Sequence, residues 1–228
     1  MKCGSIPAKA DTTAQNKFYN ETLQPLMKKA EKGNIVLLFM DASHFILGCD
    51  YLGYIYSRVR RFVKTFSGRK RYNVLGAIDY VTKRILTVTN DSYITATEVC
   101  TMLRIIAKEY PERTVHIILD NARYQKCAIV QTLAAEIGIT LQFIPPYSPN
   151  LNLIERVWKF VKCELRSKYY DDFLEFQRKI DSIIDSTAKE NLQKMKRIIG
   201  EKVQLFDDMK PITENTFECL AKLQNPVA

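Results

Sequence analysis

Ile35-Val-Leu-Leu-Phe-Met-Asp41 is a run of six apolar residues closed by an acid. Six is far below the roughly 20 needed to cross a bilayer. The aliphatic and β-branched content of Asn34 to Met40 reads as a buried strand. A second run, Val115-His-Ile-Ile-Leu119, ends the same way, in Asp120. A third acid, Glu155, follows after 34 intervening residues, just inside a helix announced by Pro145-Pro-Tyr-Ser-Pro-Asn150. Two strand ends and one helix start therefore each carry a carboxylate, and the fold turns on whether the two strands are neighbours.

Outward from these runs, Ile55 to Val63 and Asn73 to Thr89 read as further strands, the latter with a turn at Asp79–Lys83. Thr95 to Tyr110 reads as a helix stopped by Pro111, and Arg123 to Ile137 as one closed by Gly138. Leu141 to Ile144 is a short strand. Long helices follow from Asn152 to Tyr169 and from Asp172 to Thr187. A strand meander followed by alternating helix and strand predicts an α/β fold, a mixed five-stranded sheet flanked by helices. Residues 1–33 read as a helical lead-in, 34–190 as the main unit, and 191–228 as a helical tail that loses its pattern beyond Pro211.

A chain of 228 residues can bury one substantial core with appendages. Its 46% apolar and 11% aromatic content excludes a disordered tail. Cys3, Cys49, Cys100, Cys127, Cys163 and Cys219 are scattered without a C-x-x-C pair, and there are only two histidines, which argues against zinc. Reduced, buried thiols and the lack of a secretion-signal pattern lead to the expectation of a cytoplasmic protein with no membrane partner. The net charge of +9 points to a polyanion. Its distribution is more telling: Arg58, Arg60, Arg61, Lys64, Arg69, Lys70 and Arg71 crowd fourteen residues, interleaved with Phe62, Val63, Phe66 and Tyr72. Such a stretch is either a solvated hairpin face or a grip on backbone phosphates.

The three carboxylates suit Mg²⁺, a hard ion that takes oxygen ligands and keeps several waters. Acids on adjacent strands, about 4.8 Å apart, can share an ion. Plainer readings stand beside this one. Asp41 can be a loop former at a strand end, Asp120 can cap the following helix, and Asn152-x-x-Glu155 fits a capping box. The helix bearing Glu155 favours chemistry, because Lys159, Lys162 and Arg166 share its face while Ile154, Val157, Trp158, Val161 and Leu165 form the opposite, apolar one. Paired Glu–Lys contacts on a solvated helix would give the same face. Trp158, His44 and His116 read as structural.

Four stretches carry a resemblance: Phe39-Met-Asp-Ala-Ser-His-Phe45, Ser67-Gly-Arg-Lys-Arg-Tyr-Asn-Val-Leu-Gly-Ala77, Leu119-Asp-Asn-Ala-Arg-Tyr124, and Pro145-Pro-Tyr-Ser-Pro-Asn-Leu-Asn-Leu-Ile-Glu-Arg-Val-Trp-Lys159. Over roughly residues 5–185 the chain resembles the catalytic domain of DDE transposases of the mariner superfamily, in the bacterial insertion-sequence branch. The resemblance implies a ribonuclease-H-like fold for 34–190, with the first and fourth strands side by side. It makes Asp41, Asp120 and Glu155 a metal-binding catalytic triad for two Mg²⁺ ions, with Mn²⁺ as a substitute. It further implies DNA cleavage at transposon ends, strand transfer by the freed 3′-hydroxyl into TA targets, and a homodimer in the synaptic complex. An end-reading helix-turn-helix half would come from an overlapping upstream frame. Two positions depart from the pattern: Gln125 replaces a frequent histidine, and Leu153 a frequent proline.

Two rivals complete the reading. A transposase remnant could keep fold and charge and bind DNA without turnover. A phosphatase with a nucleophilic Asp41 would want a second acid two residues on, where this chain has Ser43.

Overall fold

β1 (Val36–Leu47) is longer than the apolar run that announces it. Through Phe39 it pairs on both sides, antiparallel with β2 (Lys70–Asp79) and parallel with β4 (Val115–Leu119). Beyond Phe39 only the β2 pairing continues, and from Ser43 buried and more exposed side chains alternate. Asp41 therefore stands in mid-strand, not at a strand end. A strand reads as a continuous apolar run only while it is enclosed on both sides. β3 (Ile85–Asn90) adds antiparallel to β2 and β5 (Ile139–Phe143) parallel to β4, giving the order β3-β2-β1-β4-β5. This is the mixed five-stranded sheet expected, with the first and fourth strands adjacent.

The computed structural model describes residues 7–48, 62, 64, 66–166, 168–200, 203 and 205. Apart from Phe62, the strand expected over Ile55–Val63 lies outside them, and so do Arg58, Arg60 and Arg61.

Pleating divides the core in two. Val36, Leu38 and Met40 face α3 (Ala96–Glu109) and α4 (Ala128–Glu136), which supply Val99, Met102, Leu103, Ile106, Val130 and Ala134. Leu37, Phe39 and Phe45 face the opposite layer. That layer holds α2 (Gln24–Glu31), α5 (Ile154–Glu164), α6 (Phe173–Ser186) and α7 (Leu192–Ile199). α1 (Thr12–Phe18) leads into α2 through a π-helical turn, Tyr19–Leu23. α3 is started by a Thr95–Glu98 capping box. α4 begins five residues later than expected, because Ala122 accepts from the Gln125 and Lys126 amides in a turn after β4. α5 ends at Glu164, leaving Arg166 in the turn beyond it.

Gly76 on β2 lies directly opposite Asp41. A Cβ there would stand 2.6 Å from Trp158 Cη2, 2.8 Å from Cζ2 and 3.1 Å from Ile154 Cδ1. The bare backbone lets Trp158, 1% exposed, lie directly on the sheet, edge-on to Phe45 at 6.2 Å between ring centroids. That contact sets the depth of α5. We expect Gly76→Ala to cost about 1–3 kcal/mol through overpacking and to shift the native emission of Trp158, the chain's single tryptophan. Urea unfolding followed by that fluorescence tests it; an unchanged midpoint with unchanged emission would show that α5 is not seated by this contact.

Candidate active site

The parallel register of β1 and β4 runs from Val36↔Val115 to Phe39↔Ile118. Two residues further along each chain stand Asp41 and, just past the end of β4, Asp120, so the shared offset brings both acids to the same end of the strand pair. Asn152 anchors the approach of α5: its Nδ2 donates to the Met40 carbonyl at 3.0 Å, one residue before Asp41. Glu155, in the first turn of α5, then joins Asp41 and Asp120 on the wall of one cavity of about 360 Å³, whose rim is the turn containing Tyr147. Two plainer readings fall here. The Asn152 side chain is spent on β1, so the capping box with Glu155 does not form, and α5 has no side-chain cap. Asp120 does not cap α4; its Oδ1 accepts from the Ala122 amide at 2.9 Å within the turn.

Gln125 completes the hold on Asp120. It is fully buried, and with its amide nitrogen oriented to satisfy its surroundings it donates to Asp120 Oδ1 at 2.6 Å and to the Asp120 carbonyl at 3.2 Å. Both donors fall on Oδ1, leaving Oδ2 without a hydrogen-bond donor among the described residues. The residue that departs from the family pattern thus still holds this acid, through a neutral amide. Asn121 Nδ2 donates to the Ile144 carbonyl and ties the turn to the far side of the cavity.

The electrostatics record how close the acids are. Burial, then the charges of Glu155 and Asp120, push the Asp41 carboxyl up from its ordinary 3.8 to about 8, against the Ala42 amide and the Trp158 indole N–H, which hold it down. Glu155 is raised by burial, opposed by the Lys162 ammonium and reinforced by Asp120. The Tyr124 hydroxyl is pushed up to about 12 by burial and by the charges of Asp41 and Asp120. The carboxylates nonetheless do not meet at a point. Among the described residues no three acidic, histidine or cysteine side chains stand close enough together to hold an ion without moving.

The expected cations spread away from this cavity in two directions. Lys162 reaches over the Phe45 ring at 5.8 Å, four residues along β1 from Asp41. Leu47 pairs with Lys70 and Ile46 with Arg71, so the described end of the basic stretch lies six strand residues, about 20 Å, from Asp41. Arg69, Lys70 and Arg71 are exposed there; Lys70 sits 5.7 Å from the Phe173 ring and Lys64 4.3 Å from that of Tyr169. Lys159 and Arg166 are exposed on α5 and just past it. His44 lies on the other face of β1 from Asp41, bonded to Asn73 at 2.7 Å, and takes no part in the cavity.

Sequence reasoning overlooked Asn152, Tyr124 and Gly76 as neighbours of the acids. A glycine inside a β-pattern is a usable sign of close approach by another element; the other two carry no local signal.

Residues 36–177 match the family described as DDE superfamily endonuclease. Over 62 residues the chain is 39% identical to the uncharacterized protein y4pE/y4sA of Sinorhizobium fredii (strain NBRC 101917 / NGR234), covering 25% of this chain and 44% of that protein. The chain thus spans less than half the length of that relative. Among solved structures it is similar to a pre-cleavage Mos1 transpososome, with a TM-score of 0.61 at 15% identity over 93% of this chain and 68% of the other. It is likewise similar to the Mos1 transposase paired-end complex with left transposon end, at 0.60 and 13% over 90% and 68%. The Mos1 mariner paired end complex with Mn gives 0.60 and 14% over 93% and 68%. The chain belongs to the DDE superfamily endonucleases, and its ribonuclease-H-like fold is the one on which the mariner transposase Mos1 is built.

Proposed function

We propose that this chain is a transposase catalytic domain that cuts the DNA backbone at the ends of a mobile element and joins the freed 3′-hydroxyl to a target, using Asp41, Asp120 and Glu155 with Mg²⁺. The observation that carries this is the shared offset of Asp41 and Asp120 on paired strands, with Glu155 facing the same cavity. The donor set fits the ion. Among the described residues the cavity is lined by carboxylate, amide, hydroxyl and backbone oxygens and by no thiol or imidazole, and the buried Asn152 Oδ1 has no hydrogen-bond partner. Two Mg²⁺ ions, or Mn²⁺ in their place, would supply an activated water or 3′-hydroxyl and stabilise the leaving oxygen. A solved Mos1 complex contains Mn, in keeping with divalent-metal use.

The chain's own residues account for the remainder. The register of β1 and β4 holds two acids side by side, and the Asn152 bond to β1 brings the third over them. Gln125 and the Ala122 amide fix Asp120 through its Oδ1, and Oδ2 would be the oxygen available to hold the ion. Asp41 would be one of the carboxylates holding the ion, whose positive charge would offset the repulsion among the three acids. Lys162 and Arg166, then Lys64 and Arg69 to Arg71, mark a track for the DNA backbone, which Arg58, Arg60 and Arg61 would extend. The same reading takes in a homodimer on paired ends, a TA target and a helix-turn-helix half from an overlapping upstream frame, in a cytoplasmic setting. The paired ends of the Mos1 complexes are in keeping with that arrangement. Among the described residues no helix is long and apolar enough to cross a membrane.

Asp41→Ala, Asp120→Ala and Glu155→Ala should each lower Mg²⁺-dependent cleavage of duplex DNA by on the order of 10³-fold or more, while DNA retention survives. Full cleavage by any one purified variant sinks the assignment. Because the folded pKa of Asp41 lies above its ordinary value, its contribution to stability is complete below about pH 4 and is lost as pH rises through about 8. The metal-free protein should therefore melt at progressively lower temperature from mildly acidic to mildly alkaline pH. Asp41→Asn should flatten that trend, and an equally steep trend in the variant would remove Asp41 as its cause. Replacing Arg69, Lys70 and Arg71 together by alanine should weaken binding to unrelated duplexes alike and lower the log–log salt slope by up to about 2.7. A slope equal to wild type would return the hairpin to a solvated face.

A further inference from the structure

A second cavity, of about 920 Å³, opens between α5 and α7. Among the described residues its walls carry Arg156, Lys159, Lys194, Lys196 and Arg197 against a single acid, Glu164. Two of these cations have structural tasks. Arg156 donates to the carbonyls of Ile198 and Ile199 at 3.4 and 2.6 Å, closing the C-terminal end of α7. Lys194 pairs with Glu164 at 2.7 Å and stands 4.5 Å from the Phe160 ring. With Met195 and Ile199 fully buried, these bonds fasten α7 to α5 as a fixed wall. Lys159, Lys196 and Arg197 remain exposed, and none makes an ion pair with another described residue.

Glu164, the one acid among the described lining residues, is thus already neutralised, and three cations share a concave surface whose floor is partly apolar. Such a surface concentrates the field of its charges and draws in a polyanion. The wall it shares with the carboxylate cavity says which one. Lys159 is one turn, about 6 Å, along α5 from Glu155, so a phosphate backbone at Glu155 reaches the groove within two or so nucleotide steps of about 3.4 Å.

We propose that the α5–α7 groove is a second phosphate-backbone site, gripping duplex DNA beside the point of cleavage. This rests on the DNA-cutting reading of the carboxylate cavity. It assigns to α7 a function that the basic hairpin and the exposed face of α5 do not cover.

The test is a salt titration of duplex-DNA binding by the full chain, without divalent ions, comparing wild type with Lys196→Glu/Arg197→Glu. Both residues lie outside the carboxylate cavity. The variant should lose about tenfold or more in affinity at moderate salt, and its log–log slope should be shallower by about 2. Lys196→Gln/Arg197→Gln, which keeps most of the side-chain length and removes the charge, should show the same change in slope with thermal unfolding like wild type. That guards against a folding defect in the glutamate pair. Equal slopes and affinities in wild type and the glutamine pair overturn the groove and leave the carboxylate site standing. A wild type that binds no duplex at any salt overturns the underlying reading instead.

Discussion

The parallel pairing of β1 with β4 is the constraint on which the rest depends. It is a short ladder, Val36 to Phe39 against Val115 to Phe39's partner Ile118, buried on both faces. A slip of one residue would turn Asp41 into the α3–α4 layer and leave Asp120 behind. The apolar side chains alternate between two separate cores, so the ladder has one register that buries both sets. Packing of hydrocarbon, not attraction between polar groups, therefore forces two carboxylates together against their mutual repulsion. The Asp41 carboxyl is raised first by its burial, then by the charge of Glu155, with Asp120 adding less.

Much of this was legible in the sequence. The apolar runs at 35–40 and 115–119 announced the two central strands, and the acid closing each run marked the site. The amphipathic pattern of α5 placed Trp158 inward and Glu155 outward. What could not be read was the continuation of β1 to Leu47, because from Ser43 the strand alternates where before it was enclosed. The hold on Asp120 was also hidden: Gln125 reaches it through a turn where a regular helix was expected. Asn152 looked like a cap because its spacing to Glu155 is that of a capping box, and only the tertiary approach of Met40 gave its amide a better partner. α7 falls within the helical tail expected from residue 191, but that its Met195 and Ile199 join the main core was not legible from the chain alone.

The charges divide in a similar way. Lysines and arginines near α5 separate into those that fasten elements to one another and those left facing solvent. Arg156 and Lys194 belong to the first group, where a cation closes a helix end or neutralises a single acid. Lys162 is intermediate: its ammonium lies over the Phe45 ring and also acts on Glu155. Lys159, Lys196 and Arg197 belong to the second group, exposed along α5 and α7.

The empty place at Gly76 has a consequence for how such a chain can drift over time. Position 76 and position 158 share one volume, the glycine giving what the indole takes. A larger residue at 76 alone would lift α5, and with it Glu155, while a smaller ring at 158 alone would leave a void over the glycine. Descendants of this sequence can alter the pair only together, a smaller ring arriving with a larger strand residue. Covariation of these two distant positions would be the evolutionary trace of a helix kept at working depth.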